Sequence, residues 1–326
     1  MNGRVIRYRM LAPLLAMLNV QPVQSAAQGA PSTFREVHMG MEVRLVLVAP
    51  PDSAPIIARR AFDRIAALDG VFSDWRSDSE LRRLRAAIPG QPVTVSRELA
   101  QVLALALRIA RDTDGAFDPT IGPLTQLWRE AARTGVPIPD SARAMARERV
   151  NYRWLRIDTV ASRVTFLREG MQLDLGAIAK GWILDDVLTR LRDAGVSAAL
   201  LEAGGDVAVF GSPEGDHGWG ITVARAAGDT VLRLSAGAVS TSGPAMQTLS
   251  ATRSRGESHV MVRATGAGLR NGVQVTVTGP RAAVTDALAT ALTLLPAARG
   301  AALARRYKIR IVAREVDALP PQPATR

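Results

Sequence analysis

Residues 173–182 read LDLGAIAKGW and pass from a strand-like apolar stretch, through a turn that contains glycine, into a helical pattern. At a helix N-terminus, unpaired backbone N–H groups and the helix dipole favour a phosphate group. Lys180 adds a point positive charge suited to phosphate oxygens, and it is one of only two lysines in an arginine-rich chain. The alternative is an ordinary strand-to-helix turn with a solvated lysine.

Upstream of this turn, residues 115–124 read GAFDPTIGPL, with two glycines and two prolines directly after a helical pattern. Such a composition predicts a rigid loop whose backbone can approach a ligand closely, with Asp118 as the polar group it presents. A helix C-cap followed by a turn, with Asp118 only capping, explains the same residues.

Downstream, residues 286–290 read DALAT at the beginning of an apolar helix. Asp286 and Thr290 are four apart, so their oxygens lie on one face. A carboxylate, a hydroxyl and nearby carbonyls form a hard oxygen site suited to Mg²⁺, whereas capping by Thr285 or Asp286 is the alternative. Residues 203–206 (AGGD) interrupt a strand pattern, which predicts a bulge or two closely packed backbones.

The remaining chain mixes helical and strand-like patterns without a regular βαβ alternation, which predicts an α+β fold. We expect strands at residues 42–48, 163–167, 198–210, 219–224, 230–234, 259–263, 273–278 and 309–313. We expect helices at 55–68, ending before Gly70, and at 98–110, 179–194 and 285–295, with a polar surface excursion at 137–150.

Charge distribution, histidine spacing and missing motifs disfavour several classes of protein. The formal net charge is +11, yet there is no run of basic residues and no aromatic-interleaved basic patch, so nucleic acid is disfavoured as a partner. None of the three histidines (His38, His217 and His259) is spaced for a metal with another histidine, and there is no cysteine, which disfavours zinc. The hydrolase Gly-x-Ser-x-Gly, the Walker loop and Gly-x-Gly-x-x-Gly are missing from the sequence.

The N-terminus is typical of a secretory signal peptide. Arg4, Arg7 and Arg9 precede an apolar stretch of 11 residues, 10–20, and small residues follow at 25–27. We therefore expect residues 1–27 to be a signal peptide, 28–317 one domain and 318–326 a disordered tail. The mature chain is expected to be exported, periplasmic and without a transmembrane span; an uncleaved amphipathic anchor is the alternative.

The order of these segments resembles the FAD:protein FMN transferase (ApbE) family over roughly residues 36–300. The succession is HMG at 38–40, FSDWRSDSEL at 72–81, GAFDPTIGPLTQLW at 115–128, LDLGAIAKG at 173–181, AGGD at 203–206, STSG at 240–243, His259, and TDALATA at 285–291. The resemblance implies a two-lobed α+β fold with mixed sheets and flanking helices, and FAD in a cleft between the lobes.

The resemblance also implies the site residues and the reaction. FAD would contact Met39, Trp75, Ala116, Phe117, Asp118, Asp174, Lys180 and His259, and Mg²⁺ would be held by the Ala177 carbonyl, Asp286, the Ala289 carbonyl and Thr290. A threonine or serine hydroxyl of a target protein would attack the FMN-side phosphorus, and AMP would leave. In that reaction Lys180 holds the ligand and His259 is the candidate general base.

The sequence departs from the family pattern after His259. The family reads His-Ile-Ile-Asp-Pro-x-Thr-Gly, whereas Val262-Arg263 stand here in place of Asp-Pro, and Pro244-Ala245 replace an upstream Asp-Tyr. Two alternatives therefore stay open within the same fold: an FAD pyrophosphatase that releases FMN and AMP, and a transfer-inactive FAD-binding protein. A third is a non-enzymatic exported protein whose basic charge captures an anion.

Export gives a direct prediction. Protein isolated from the native host should begin near Gln28, because signal peptidase cleaves after small residues such as Ala27. N-terminal sequencing measures this, and a mature chain that begins at Met1 would contradict it.

Overall fold

The computed structural model describes residues 30–213, 217–225, 227–243, 258–269 and 272–316. The expected signal peptide, residues 1–27, and the expected tail, 318–326, lie outside these ranges, as do Pro244 and Ala245. None of the helices in the described ranges is long and apolar enough to cross a bilayer.

Helices and strands alternate irregularly along the chain, as the sequence predicts. The N-terminal half contains β1 (Pro31–His38), β2 (Met41–Val48), α1 (Ala54–Phe72), α2 (Glu80–Arg83), β3 (Val93–Thr94), α3 (Arg97–Asp112), α4 (Gly122–Thr134), α5 (Asp140–Arg147), β4 (Leu155–Asp158) and β5 (Arg163–Phe166). The C-terminal half contains α6 (Ala179–Asp193), β6 (Ala198–Ala203), β7 (Asp206–Phe210), β8 (Trp219–Val223), β9 (Thr230–Leu234), β10 (Ala236–Ser242), β11 (Met261–Val262), β12 (Ala267–Gly268), β13 (Val273–Gly279), α7 (Ala282–Leu294), α8 (Ala297–Tyr307) and β14 (Arg310–Val316).

A seven-stranded sheet in the order β1-β2-β6-β7-β10-β13-β14 forms the centre of the molecule. Its neighbouring strands all pair antiparallel. A smaller three-stranded sheet has the order β3-β5-β4. Helices packed on antiparallel sheets confirm the predicted α+β class.

The two faces of the large sheet bury different partners. On one face, alternate residues such as Leu45, Leu201 and Val277 pack against α1, α6 and α7 in the main core. On the other face, residues such as Val46 and Leu200 are covered by the β8–β9 hairpin. Both faces are thus dry, which explains why β6 and β7 read as nearly continuous apolar runs.

Two tight turns lie at one end of this sheet. Residues 198–210, expected as a single strand, form the β6–β7 hairpin, and Gly204 and Gly205 at its turn have φ of 56° and 87°. Consecutive positive φ angles build a hairpin turn that glycine adopts at little cost. Met39 and Gly40 turn between β1 and β2 with φ of 53° and 73°. The antiparallel registers place both turns beside the end of β10.

Several boundaries differ from the expectation. Helix α1 runs through Gly70 to Phe72, and α5 lies within the expected polar excursion. Helix α7 begins at Ala282, so Asp286 lies in its second turn and is not its cap. The N-terminal N–H groups of Ala282 and Ala283 instead donate to the Asp185 carboxylate of α6, at 2.7 and 3.1 Å. A side chain distant in sequence therefore provides the cap.

Helices α6 and α7 approach each other closely at Gly181. A Cβ atom at this position would lie 2.2 Å from the Ala282 carbonyl oxygen. No side chain fits there without moving one helix, so glycine is required for this contact.

Gly181→Ala should destabilise the protein by about 1–3 kcal/mol, because the new methyl group overpacks the α6–α7 contact. Gly70→Ala is the matched control: it also lies in a helix, and a Cβ atom added there would meet no atom of the described residues within 4 Å. We expect the control to be neutral or stabilising by up to about 1 kcal/mol. Thermal unfolding of both variants checks this, and an equal melting temperature for the two would contradict it.

Candidate functional site

The Lys180 ammonium lies between two buried carboxylates. Its Nζ is 3.2 Å from Asp206 Oδ2 and 3.4 Å from Asp286 Oδ1, and it donates to the Gly176 carbonyl at 3.2 Å. Asp206 and Asp286 are only 3% and 5% exposed. Lys180 is therefore not the solvated lysine of the alternative interpretation, because it joins the first turn of α6 to β7 and α7.

Charge in this cluster is unbalanced. Burial alone lowers the pKa of Lys180, but attraction to Asp286 and Asp206 outweighs it, so the pKa is raised and the group stays a cation. Burial and repulsion from Asp206 raise the pKa of Asp286 to about 7, against the lowering effects of Lys180 and the Gly181 N–H. One ammonium thus serves two carboxylates, and a further cation beside them would favour the ionised form of Asp286.

Two of the candidate metal ligands, Asp286 and Thr290, lie one turn apart on α7. Asp286 Oδ2 accepts from the Gly181 N–H at 3.3 Å, which places the turn containing Ala177 beside α7. One turn further along α7, the Thr290 hydroxyl donates to Ser242 Oγ at 3.2 Å, at the end of β10. In the described part of the chain, no three His, Asp or Glu side chains gather as a metal site. A cation here would need carbonyl and hydroxyl oxygens beside Asp286, and such donors fit Mg²⁺.

A second group of contacts continues from Gly176 to Trp75. The Gly176 N–H donates to Asp174 Oδ1 at 2.8 Å, and Asp174 Oδ2 accepts from Arg129 Nη2 at 3.1 Å. The Arg129 guanidinium lies 4.2 Å from the centre of the Trp75 ring. Arg129, which no sequence motif indicated, therefore joins Asp174 and Trp75, two residues that the family resemblance implies for the FAD site.

Asp118 is buried, although the sequence suggested that the loop presents it to a ligand. Its Oδ1 accepts from the Thr120 N–H at 2.9 Å and hydroxyl at 2.6 Å, and its Oδ2 accepts from the Tyr152 N–H at 3.1 Å. Burial raises its pKa, against these hydrogen bonds and the nearby Arg263. Asp118 thus holds the shape of the loop that carries Ala116 and Phe117.

The loop around Asp118 is tied to the rest of the site. The Pro119 carbonyl accepts from the Asp174 N–H at 2.9 Å. This bond keeps the loop beside the turn that contains Gly176. Contact of Ala116, Phe117 and Asp118 with FAD stays a prediction.

Met39 and His259, two further residues expected to contact FAD, lie on other elements of the fold. Met39 lies in the β1–β2 turn, at the same end of the sheet as Asp206. His259 is half-buried and precedes the β11–β12 hairpin. Arg263 of this hairpin donates from Nε to the Val150 carbonyl at 3.1 Å and lies 3.9 Å from Asp118 Oδ2. His259 is thereby connected to the Asp118 side of the site.

A cleft of about 840 Å³ opens beside the Gly115–Ala116 turn, and Arg147, Arg263 and Arg299 are among its lining residues. Lys180 and Asp286 do not line it. The charged cluster lies outside this cleft, whereas Ala116, one of the residues expected to contact FAD, lines it.

Comparison with known proteins assigns the family. Residues 39–313 match the sequence model of the ApbE family, and the chain therefore belongs to this family. A Klebsiella pneumoniae protein named FAD:protein FMN transferase is 34% identical over 180 residues, which cover 55% of this chain and 56% of that protein. A Treponema pallidum protein of the same name is 33% identical over 180 residues, covering 53% and 49%. The chain thus matches about half the length of these curated relatives.

The fold has solved counterparts. The flavinyl transferase ApbE of Pseudomonas stutzeri superposes with a TM-score of 0.76 at 28% identity, over 86% of this chain and 90% of that chain. The similarity extends well beyond the segments that the sequence analysis singled out.

Lys180→Met should destabilise the protein by about 3–5 kcal/mol at neutral pH, because it leaves Asp206 and Asp286 buried without a cation. Lys308, the other lysine, is exposed after α8, so Lys308→Met is the matched control and should be nearly neutral. Adding Asp206→Asn to Lys180→Met should recover part of the loss. Thermal unfolding measures all three, and a neutral Lys180→Met would show that the cluster is not a stabilising unit.

Proposed function

We propose that this member of the ApbE family is an FAD:protein FMN transferase, which moves FMN from FAD to a threonine or serine hydroxyl of a target protein. The observation that carries the proposal is the Lys180 ammonium, held at a helix N-terminus between Asp206 and Asp286. The ammonium lies at the N-terminus of α6, so the site has a fixed positive charge suited to a pyrophosphate and, in Asp286, a carboxylate suited to a cation. The names of the relatives support the same activity.

Mg²⁺ would be bound by Asp286, Thr290 and the carbonyls of Ala177 and Ala289. Two buried carboxylates that share one ammonium support this assignment, as do the hard oxygen donors beside Asp286. When bound, the ion supplies Lewis-acid polarisation of the pyrophosphate oxygens.

Lys180 and the other residues proposed to contact FAD would position it for the reaction. Lys180 cannot swing away easily, because two carboxylates and the Gly176 carbonyl hold its ammonium in place. Such preorganised charge stabilises phosphoryl-type transfer without rearrangement during the reaction. Met39, Trp75, Asp174 and the segment 116–118 would hold the remainder of FAD.

The proposed reaction balances as a displacement at phosphorus. The acceptor hydroxyl oxygen forms a bond to the FMN-side phosphorus, and the bond from that phosphorus to the bridging oxygen breaks. AMP leaves with the bridging oxygen. His259 accepts the proton of the attacking hydroxyl as general base.

We further propose that the enzyme works in the periplasm after export and that its acceptor is an exported or membrane protein. The basic, apolar and small-residue segments of the N-terminus support this placement. We do not propose a nucleic acid as a partner.

A second candidate, FAD hydrolysis to FMN and AMP, is favoured by the segment after His259. There Arg263 contacts Val150 and faces Asp118, where the family has an Asp-Pro pair. Because Val262 replaces the family's aspartate, that carboxylate cannot help to orient His259 for a protein hydroxyl.

One experiment separates the candidates. The mature protein is incubated with FAD, Mg²⁺ and an exported acceptor protein from the same genome, then separated on a denaturing gel. Covalent flavin fluorescence on the acceptor supports transfer. Free FMN and AMP in equal amounts, without labelled acceptor, would support hydrolysis and overturn the transferase.

Asp286→Ala should abolish Mg²⁺-dependent turnover and weaken FAD binding, because the only carboxylate assigned to the ion is lost. Asp193→Ala, which removes an exposed carboxylate at the end of α6, is the matched control and should behave as wild type. Activity is measured across a Mg²⁺ titration. Turnover that Mg²⁺ still stimulates in Asp286→Ala would place the ion elsewhere.

His259→Ala should slow transfer by about 10²–10⁴-fold while leaving FAD affinity nearly unchanged, because a general base contributes mainly in the transition state. Val262→Asp should raise the rate of the otherwise wild-type enzyme by restoring the family's carboxylate near His259. Single-turnover assays at saturating FAD measure both effects. If His259→Ala weakens FAD binding but bound enzyme transfers at the normal rate, His259 only packs beside the ligand.

A further inference from the structure

Arg129 of α4 is the centre of a cluster that no sequence motif indicates. Its Nη2 lies 3.1 Å from Asp174 Oδ2, its Nη1 donates to Asp74 Oδ2, and its guanidinium carbon lies 4.2 Å from the centre of the Trp75 ring. Asp74 and Asp174 are both buried, whereas Trp75 is 72% exposed. The Arg129 guanidinium therefore pairs with two buried carboxylates and also contacts one exposed aromatic ring.

The electrostatics make Arg129 necessary at this position. Burial raises the pKa of Asp74, repulsion from Asp174 raises it further, and Arg129 is the main group that lowers it. Arg85 also faces this cluster, and burial together with repulsion from Arg82 and Arg129 lowers its pKa. Without Arg129, two neighbouring buried carboxylates would repel each other, and at least one would be protonated or move.

The backbone around Trp75 is fixed independently. Ser73 Oγ accepts from the N–H groups of Trp75 and Arg76, both at 3.3 Å, and Arg82 donates to the Asp74 carbonyl at 3.1 Å. These bonds set the path of the main chain but leave the ring of Trp75 free to rotate. Among the described residues, Arg129 is the cation whose guanidinium lies over that ring.

Helix α4 is also fixed relative to Asp174. Ile121 forms a parallel bridge with Gln172, and a Cβ atom at Gly122 would lie 2.7 Å from the Gln172 carbonyl oxygen. The helix that carries Arg129 thus begins in close contact with the strand-like segment that leads to Asp174. The distance between Arg129 and Asp174 is set by the fold.

We propose that Arg129 is a positioning residue for FAD binding. It covers one side of the Trp75 ring and leaves the exposed remainder as a platform for an aromatic ring of FAD. Through Asp174 and the Gly176 N–H it also fixes this platform relative to Lys180. A guanidinium suits both tasks, because its planar group stacks on an aromatic face while its N–H groups bind carboxylates. This inference rests on the proposed binding of FAD, but not on transfer to a protein.

The test is equilibrium binding of FAD to the full mature chain, which is monitored by flavin fluorescence at a temperature well below the melting temperature. Arg129→Gln should raise the Kd for FAD about tenfold, since a charge-assisted hydrogen bond and the ring contact are both lost. Arg133→Gln is the matched control: Arg133 lies one turn further along α4, pairs with Glu130 at the surface, and should leave the Kd unchanged. Equal Kd values for Arg129→Gln and wild type would overturn the proposal.

Arg129→Lys keeps a cation between the two carboxylates. It therefore tests the proposal even if Arg129→Gln fails to fold. It should melt near the wild-type temperature yet still weaken FAD binding, because an ammonium cannot stack on Trp75 and bind two carboxylates at once. A Kd restored to the wild-type value by lysine would show that only charge matters and would overturn the positioning role.

A double-mutant cycle with Trp75→Ala separates positioning from general structural damage. If Arg129 acts through Trp75, Arg129→Gln should have a clearly smaller effect on the Kd in the Trp75→Ala background. Fully additive effects would contradict the proposal.

Competition by FMN and by AMP then identifies which ring lies on Trp75, because only the matching competitor should lose affinity in Arg129→Gln. Failure of wild type to bind FAD would overturn the proposed function and this inference together, whereas binding without transfer would overturn transfer alone.

Discussion

The ion pairs of Lys180 with Asp206 and Asp286 are the interaction on which the site depends. They join the first turn of α6 to the β6–β7 hairpin and to α7, elements that are separated by long stretches of chain. Burying three charged groups is unfavourable unless each has partners at short distance. The close α6–α7 contact at Gly181 and the Asp185 cap on α7 hold those partners in place. In the same arrangement two carboxylates share one ammonium.

From Lys180 the polar contacts extend in two directions. Towards α4 they pass through Gly176 and Asp174 to Arg129. On the other side, Asp286 lies one turn of α7 before Thr290, which donates to Ser242 of β10. These contacts therefore join a fixed ammonium and the oxygen donors near it to an exposed aromatic ring. Displacement at phosphorus needs little covalent chemistry from a protein, and fixed groups of this kind supply most of what it requires.

The sequence predicts the class of fold and four of the eight helices in the described residues, α1, α3, α6 and α7, because apolar periodicity reports burial directly. It also indicates Lys180 and Asp286 as candidates, and the structure brings these two side chains together, while their contacts with FAD and Mg²⁺ stay predictions. It does not identify α4 as a helix, although Pro123 near its start is typical of a first turn. The partners of Lys180 and the role of Arg129 were beyond sequence reasoning, because pairs such as Arg129 with Asp74 form only when distant segments meet in the folded chain.

The most direct test of this account is a crystal structure of the mature protein with FAD and Mn²⁺, which replaces Mg²⁺ and scatters anomalously. We predict an anomalous peak bound to Asp286 and Thr290, with pyrophosphate oxygens in contact with Lys180 Nζ. The contradicting result is a pyrophosphate bound among Arg147, Arg263 and Arg299 in the neighbouring cleft, with no metal at Asp286.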